Sequence, residues 1–293
     1  MGRNTPASNA GPAAVALPQP AWAAQRTAAF REEQDALMKG ELSPLARIGY
    51  AHLPPGETAL THDPAGVLSV PRDTLPNEPF QLRFVGSAAG SLALQANPAV
   101  RLDGKPVTEA PLSKGQVIAL GLLRFLVAGG PGDPALAIYD LGSEPRRTYT
   151  GLHYFPSDDR YRVAARLERY PQPRPVRLAA SRGEDKELQA IGMLHFTLPG
   201  PVAESMEAYL EQPGSARLFL IFRDATSGKP GGSYGAGRFL YATLENDAAV
   251  WLDFNQAWNP LCAYSPYFHC PLPPRSNWLH SALPVGEKVY AEH

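Results

Sequence analysis

The residues with the greatest chemical potential lie in the last third of the chain, in three motifs. Residues 223–228 follow a strongly apolar run, residues 233–238 contain two glycines, and residues 253–274 combine asparagines, aromatic residues and both cysteines. Because loops that follow strands often carry binding and catalytic side chains, we expect these polar residues to form a site. The candidate ligand-binding residues are Arg223, Asp224, Thr226, Tyr234, Arg238, Asp253, Asn255, Asn259, Tyr264 and Asn277.

The first two motifs also have a structural interpretation. Asp224 and Thr226 can cap their own turn through local hydrogen bonds, leaving Arg223 to pair nearby. The glycines at 235 and 237 let the backbone approach another group closely, or form a bulge before the next strand. They lack the third glycine and the following helix of a dinucleotide site.

Cys262 and Cys270 form a thiol pair with several interpretations. They are buried free thiols, a disulfide, or metal ligands together with His269 or His280. As a nucleophile, either cysteine would need a base such as one of these histidines. The spacing of the two cysteines does not distinguish these alternatives. Since no metal or cofactor motif is recognised, we predict neither a metal nor a cofactor.

The elements that must position these residues are mainly β. With 31 prolines and 26 glycines in 293 residues, the chain contains many turns, and short apolar runs alternate with turn residues. Apolar spacing predicts a helix at 21–39 and another at 202–212. Predicted strands are 80–85, 91–94, 100–102, 116–120, 122–127, 161–170, 176–180, 192–198, 217–223, 238–244 and 249–254.

The same sequence patterns predict that the chain has four parts. Residues 1–20 are a disordered tail, 21–144 hold the N-terminal helix and a β-sandwich, and 176–293 form a second antiparallel β domain, barrel-like or a sandwich. Residues 145–175 are an arginine- and proline-rich connector whose prolines mark a stiff boundary. In 161–170, alternation predicts that the residues at 161, 163, 165 and 167 are buried and that the others, Arg162 included, face water.

Charge and hydropathy exclude some classes of partner. The chain has 27 Lys and Arg against 28 Asp and Glu, so its net charge of -1 argues against nucleic-acid binding. No apolar run is long enough to span a bilayer, so no membrane association is predicted. The first 20 residues lack the apolar run of a secretory signal, and we therefore expect a cytoplasmic location.

The C-terminal motifs carry a resemblance to a known family. The runs FRDATSG, SYGAGRFL, DFNQAWNPLCAYSPYFHCPLPPRSNWL and VGEK resemble the bacterial domain-of-unknown-function family 1684, and a weaker likeness extends over most of residues 20–290. Trp258 stands where the family usually has tyrosine. The resemblance implies no established activity. Its motif positions are matched by Arg223, Asp224, Thr226, Tyr234, Gly235, Arg238, Asp253, Asn255, Asn259, Cys262, Tyr264, Cys270, Pro271 and Asn277.

The first β domain is similar to the second half of a forkhead-associated domain. The likeness covers residues 97–107, Leu112, 114–118 and 120–121. It implies a β-sandwich. The family's phosphothreonine-binding arginine and serine have no evident counterparts between residues 56 and 79, and only Asn97 matches, so we expect phosphopeptide binding to be lost.

Three functions are consistent with these observations. The favoured one is a non-catalytic binding protein whose C-terminal β domain takes a small polar or anionic ligand or a protein partner. The alternative is an enzyme, hydrolase-like, that clamps a small anionic substrate with Arg223 and Arg238 and uses Asp253, Tyr264 or Cys262 for chemistry. The third is a degenerate forkhead-associated-type interaction module. Convergence of the polar residues on one concavity would favour a ligand or substrate site.

Overall fold

A computed structural model describes residues 23–75, 82–87, 91–96, 100–130, 132–212, 214–215, 217–244 and 248–290. The predicted disordered tail at 1–20 lies outside these residues. So do Asn97, the first two residues of the predicted helix and the first two of the predicted strand at 80–85.

The chain divides into two compact units. The N-terminal unit comprises Glu32–Gly151 and Tyr264–Phe268. The C-terminal unit comprises Leu152–Ala263 and His269–His293, together with the described residues up to Arg31. The predicted connector at 145–175 is therefore shared between the two units. Both units are built mainly of antiparallel strands, as the sequence predicts.

In the N-terminal unit, the described strands form two sheets. One has the order β1-β11-β10-β9-β6-β7 and the other β3-β2-β4-β5-β8, and every pair except β2 with β3 is antiparallel. The strands are β1 (Arg47–His52), β2 (Gly56–Thr61), β3 (Leu68–Ser69), β4 (Leu82–Gly86), β5 (Leu92–Ala96), β6 (Arg101–Leu102), β7 (Lys105–Pro106), β8 (Glu109–Leu112), β9 (Val117–Leu120), β10 (Leu123–Gly130) and β11 (Asp133–Asp140).

Both sheets of the N-terminal unit contribute to one hydrophobic core, as in a sandwich. The ring of Phe84 on β4 lies 6.3 Å from that of Phe125 on β10, measured between centroids. The turn at Asp103 and Gly104 joins β6 to β7, and both residues have positive φ, as a two-residue hairpin turn requires. The likeness to a forkhead-associated domain remains a prediction.

In the C-terminal unit, the described strands form one six-stranded sheet with the order β16-β15-β14-β13-β12-β17. An isolated bridge between Leu244 and Val250 joins the end of β16 to β17, so the sheet is nearly closed like a barrel. The strands are β12 (Arg162–Leu178), β13 (Lys186–Leu198), β14 (Val202–Leu210), β15 (Arg217–Phe222), β16 (Arg238–Thr243) and β17 (Ala249–Asp253).

The core of this sheet is completed by residues of the C-terminal segment. Leu279, Leu283 and Val285 pack with apolar side chains from all six strands, and so does Phe254 at the end of β17. The motifs singled out in the sequence therefore lie at the ends of strands and against the core.

Two local features of the C-terminal sheet differ from expectation. Residues 202–212, predicted as a helix, contain β14 instead. Pairing with β13 and the packing of Met206, Ala208 and Leu210 into the core override the helix propensity of this glutamate- and alanine-rich segment. The prolines at 171, 173 and 175 do not end β12. They lie in or next to the place where its register with β13 shifts, and proline is tolerated where ladder hydrogen bonds are interrupted.

The predicted N-terminal helix is present as α1 (Ala23–Lys39), and a short helix, α2 (Glu144–Arg147), precedes the C-terminal sheet. Thr27 of α1 is buried although it is polar. None of the helices in the described residues has both the length and the apolar character that crossing a membrane requires.

Candidate functional site

The charged residues of the first two motifs form a buried ion pair. Arg238 Nη2 lies 2.8 Å from Asp224 Oδ2, and both side chains are fully buried. The same guanidinium donates to the carbonyl oxygens of Leu283, Val285 and Glu287. Arg238 at the start of β16 thus ties the end of β15 to the C-terminal segment.

The second oxygen of Asp224 caps its own turn. Asp224 Oδ1 accepts hydrogen bonds from the backbone N–H and the hydroxyl of Thr226, at 2.8 and 2.7 Å, and from the N–H of Leu283. The Thr226 hydroxyl also lies 2.8 Å from that of Ser233. These contacts fit the turn-capping interpretation of the 223–228 motif.

The glycine-rich motif before β16 allows a close backbone approach at Gly237. This residue has a φ of +101°, and a Cβ placed on it would lie 2.5 Å from the carbonyl oxygen of Phe222. At Gly235 a Cβ would make ordinary contacts. Of the two glycines, Gly237 is therefore the one that the packing requires.

Two asparagines of the third motif, and Asn277 just after it, bind polar groups of other segments. Asn277 accepts from the N–H of Glu207 and donates to the carbonyls of Glu207 and Ile221. The register of β14 with β15 places those two residues opposite each other, so the Asn277 amide is inserted into the ladder.

Asn259 and Asn255 act in the same way. Asn259 donates to both carboxylate oxygens of the buried Glu287, from its amide side chain and its backbone N–H, at 2.8 and 2.9 Å. Asn255 bonds the N–H and the carbonyl of Asp158. Each of these buried asparagines holds two distant stretches of chain together.

Asp253 is surrounded by donors at the end of β17. Its Oδ2 accepts from the hydroxyl of Thr27, from Nε of Arg162 and from the side chain of Gln256, at 3.1, 3.1 and 2.8 Å. Arg162 is buried and also bonds Thr27 and Asp159. The expectation that Arg162 faces water is therefore wrong, because this network supplies the charged partners that its burial requires.

Arg223 and Tyr264 are not part of the ion pair. The guanidinium of Arg223 lies over the ring of Trp278, 4.8 Å from its centroid, and Arg275 lies over the same ring at 4.5 Å. Trp278 itself remains 38% exposed. Tyr264 belongs to the N-terminal unit. The structure thus brings Asp224, Thr226 and Arg238 together, and of the two predicted clamp residues only Arg223 is near the surface.

Trp258, where the resembled family usually has tyrosine, packs among aromatic rings. Its ring lies 4.8 Å from that of Tyr241 and 6.0 Å from those of Phe30 and Phe239. Its backbone forms a bridge with Phe239 on β16. The indole therefore serves the packing of α1 against the sheet.

The thiol pair forms a second polar cluster. Both cysteines are free thiols, Cys270 is buried and Cys262 is partly exposed. The N–H of Cys262 donates to Cys270 Sγ at 3.4 Å. Hydrogen bonds from Cys270, Ser181 and Tyr234 lower the pKa of Cys262 to about 7, against the opposing effect of burial. Burial and the Cys262 sulfur raise the pKa of Tyr234 to about 12, which keeps its hydroxyl protonated as a donor.

A cavity of about 440 Å³ opens beside the C-terminal segment. It forms where Lys288 N–H donates to the His153 carbonyl and Val289 N–H to that of Gly232. None of its described lining residues is acidic. They are Leu152, His153, Tyr154, Gly231, Lys288, Val289 and Tyr290.

Sequence reasoning missed this cavity because its residue types carry no motif. Its basic and aromatic residues come from two segments, 152–154 and 288–290, which lie more than 130 positions apart in the sequence. Only the pairing of these two segments brings the residues together. The Tyr154–Glu287 bridge is that pairing. The available sequence signal for the cavity was the VGEK run at 285–288, which is part of the resemblance and includes Lys288.

Comparison with known proteins gives a family but no activity. Residues 147–288, just under half of the chain, match the model described as "Protein of unknown function (DUF1684)". No curated protein matches the chain. One similar solved structure is the solution NMR structure of an uncharacterized protein of Haloarcula marismortui. It is 38% identical, covers 51% of this chain and 82% of its own, and has a TM-score of 0.42. Through residues 147–288, the chain belongs to the DUF1684 family.

Proposed function

We propose that the C-terminal unit is a binding module for a small anionic ligand, which it takes in the cavity beside Lys288. The observation that carries this proposal is a cavity of ligand size whose described lining has basic but no acidic side chains. An anion in such a cavity gains a charge-assisted hydrogen bond without facing a carboxylate.

The surroundings of the cavity add positive charge. The guanidinium of Arg31 lies over the ring of Tyr154, 4.4 Å from its centroid, and donates to the carbonyl of Phe155. The acidic neighbour Glu287 is held by Asn259, which donates to both of its oxygens. The rings of Tyr154 and Tyr290 line the same cavity and offer a ligand flat apolar surface.

The buried ion pair argues for this location rather than the Arg223 and Arg238 clamp. Arg238 would have to leave Asp224 and three carbonyl groups before it could reach a substrate. Breaking a buried pair in this way costs about 3–5 kcal/mol. The side chain of Lys288, by contrast, is partly exposed at the cavity.

The test compares ligand-induced stabilisation in matched lysine variants. The probes are inorganic phosphate and citrate, with sodium chloride at equal ionic strength and glycerol as controls, and the measurement is the shift of the melting temperature with probe concentration. Lys288→Gln should weaken binding about tenfold or more, because a hydrogen bond to a charged group contributes about 1.5–3 kcal/mol. Lys114→Gln, the same change on an exposed residue of the N-terminal unit, should leave the affinity unchanged.

Two results would contradict the proposal. Equal weakening in Lys288→Gln and Lys114→Gln would indicate a nonspecific effect of charge. Loss of binding in Arg223→Gln with full binding in Lys288→Gln would place the anion at the Arg223, Trp278 and Arg275 stack instead.

A further inference from the structure

The thiol pair has a geometry that the binding proposal does not use. Cys270 Sγ lies 3.4 Å from the backbone nitrogen of Cys262, and the two side chains are hydrogen-bonded to each other. A disulfide requires Cβ atoms about 3.5–4.5 Å apart. The Cys270 sulfur against the Cys262 backbone and the hydrogen bond between the two side chains place the sulfurs next to each other, as disulfide formation requires.

The two cysteines differ in access. Cys262 is partly exposed, whereas Cys270 is only 7% exposed. The N–H of Cys270 donates to the hydroxyl of Ser181, and its carbonyl accepts from the N–H of Ser181. A small reagent would therefore meet Cys262 first, while Cys270 is held behind it on a fixed backbone.

We propose that Cys262 and Cys270 are a dithiol redox site that a small hydroperoxide oxidises, with Cys262 as the attacking thiol and Cys270 as the resolving thiol. In the first step the Cys262 thiolate attacks the terminal oxygen of the hydroperoxide and the O–O bond breaks. The alkoxide, or hydroxide when the oxidant is hydrogen peroxide, leaves and takes a proton from solvent. This oxidises the sulfur to a sulfenic acid.

The second step closes the disulfide. The sulfur of Cys270 attacks that of Cys262, the S–O bond breaks, and the departing hydroxide takes the Cys270 proton to become water. In total two thiols and one hydroperoxide give one disulfide, one water and one alcohol, or a second water when the oxidant is hydrogen peroxide. The protein loses two electrons and the peroxide gains them.

Tyr234 and Ser181 are positioning residues for this chemistry. The groups that donate to the Cys262 sulfur are Cys270, Ser181 and Tyr234, and of these Cys270 and Tyr234 titrate. The imidazole of His269 lies against Gly183. A Cβ added to Gly183 would be 3.2 Å from the ring. Since the donors lower the pKa of Cys262 to about 7, the reactive thiolate should increase through neutral pH, below the range of a free cysteine.

The experiment uses the full chain, reduced and then treated with hydrogen peroxide. Remaining thiols are counted by maleimide labelling and intact mass, and linked peptides are mapped without reduction. We expect both thiols to be lost together in a monomer, a Cys262–Cys270 peptide pair, and full recovery with dithiothreitol. Cys270→Ser should stop at a dimedone-reactive sulfenic acid on Cys262, and Cys262→Ser should keep Cys270 reduced.

A second measurement separates positioning from folding. The rate of iodoacetamide labelling at Cys262 should be half-maximal near pH 7 in the wild-type chain and at a higher pH in Tyr234→Phe. Tyr241→Phe, which removes a hydroxyl bonded to Glu211, should not move the midpoint.

Three outcomes would overturn the proposal. One is a wild-type chain that keeps both thiols under peroxide that oxidises free cysteine. Another is formation of intermolecular disulfides only. The third is equal oxidation of Cys270 when Cys262 is absent. The wild-type measurements decide the first two points even where a serine variant does not fold.

Discussion

At the scale of single residues, burial separates the structural part of the motifs from the part that can meet a ligand. Asp224 and Arg238 are both fully buried and bond each other and five backbone groups. A charge left alone in such a place cannot be hydrated, so the pair acts as a unit. Lys288 and Cys262, in contrast, are partly exposed.

The stability of the buried pair gives a direct prediction. Arg238→Met should lower the free energy of unfolding by about 3–5 kcal/mol, because it leaves the Asp224 carboxylate buried without its cation. The double variant with Arg238→Met and Asp224→Leu should lose less unfolding free energy than the sum of the losses in the two single variants. Arg83→Met, which breaks an ion pair whose side chains are 43% and 51% exposed, should cost no more than about 1 kcal/mol. If urea unfolding showed the same loss of unfolding free energy for Arg238→Met and Arg83→Met, this account would be contradicted.

Contacts between residues close in sequence were easier to predict than contacts between distant ones. The local cap of Asp224 by Thr226 follows from chemistry within two positions, and such contacts can be inferred from the sequence. Arg162, Asn277 and Glu287 also bond partners that lie 28 to 135 positions away. Spacing along the chain carries no signal for these contacts, and Arg162 even occupies an apparently solvent-facing position of its strand.

At the scale of elements, Asn277 shows how the segment that follows the third motif completes the sheet. Its amide occupies the place between Glu207 on β14 and Ile221 on β15 where backbone groups would otherwise bond each other. The N–H of Arg223 then donates to the carbonyl of Asn277, and the carbonyl of Arg223 accepts from the N–H of Leu279. The segment therefore continues the pairing of β15 beyond its end.

This insertion predicts a specific pattern for Asn277 variants. Asn277→Ala should cost at least about 2 kcal/mol, since it leaves buried backbone groups unsatisfied, and should speed hydrogen exchange at the Glu207 N–H. Asn277→Asp keeps the acceptor for that N–H but sets an oxygen against two carbonyls, so it should destabilise while protecting Glu207 better than alanine does. Ser113→Ala, on an exposed residue of the N-terminal unit, is the control and should leave exchange at Glu207 unchanged. Identical exchange in all three variants would refute the insertion.

The limits of sequence reasoning are clear at this scale as well. Most of the predicted strands overlap an observed strand, because alternation and turn chemistry are local. The prediction missed β1, β2, β11 and the first half of β13. Residues 202–212 were predicted as a helix because local propensity favoured one, yet pairing with β13 forms β14 there. The insertion of Asn277 and the near closure of the sheet depend on contacts between distant elements, which no local pattern encodes.

At the scale of the whole molecule, each unit has its own hydrophobic core. The core of the N-terminal unit includes Phe84 and Phe125, and that of the C-terminal unit includes Phe254, whose ring lies 5.5 Å from Phe222 and 5.7 Å from Phe196. The proposed cavity and the thiol pair both belong to the C-terminal unit.

Separate cores predict that the two units lose stability separately. Phe84→Ala and Phe254→Ala should each cost about 3–5 kcal/mol, because truncating a buried phenylalanine removes apolar contact and leaves a cavity. Native-state hydrogen exchange should report the loss mainly in β4 and β10 for Phe84→Ala, and mainly in β15 and β17 for Phe254→Ala. The rate at which peroxide oxidises the Cys262 thiol should change in Phe254→Ala and stay the same in Phe84→Ala. If each variant destabilised all four strands by the same amount, the two cores would unfold as a single cooperative unit.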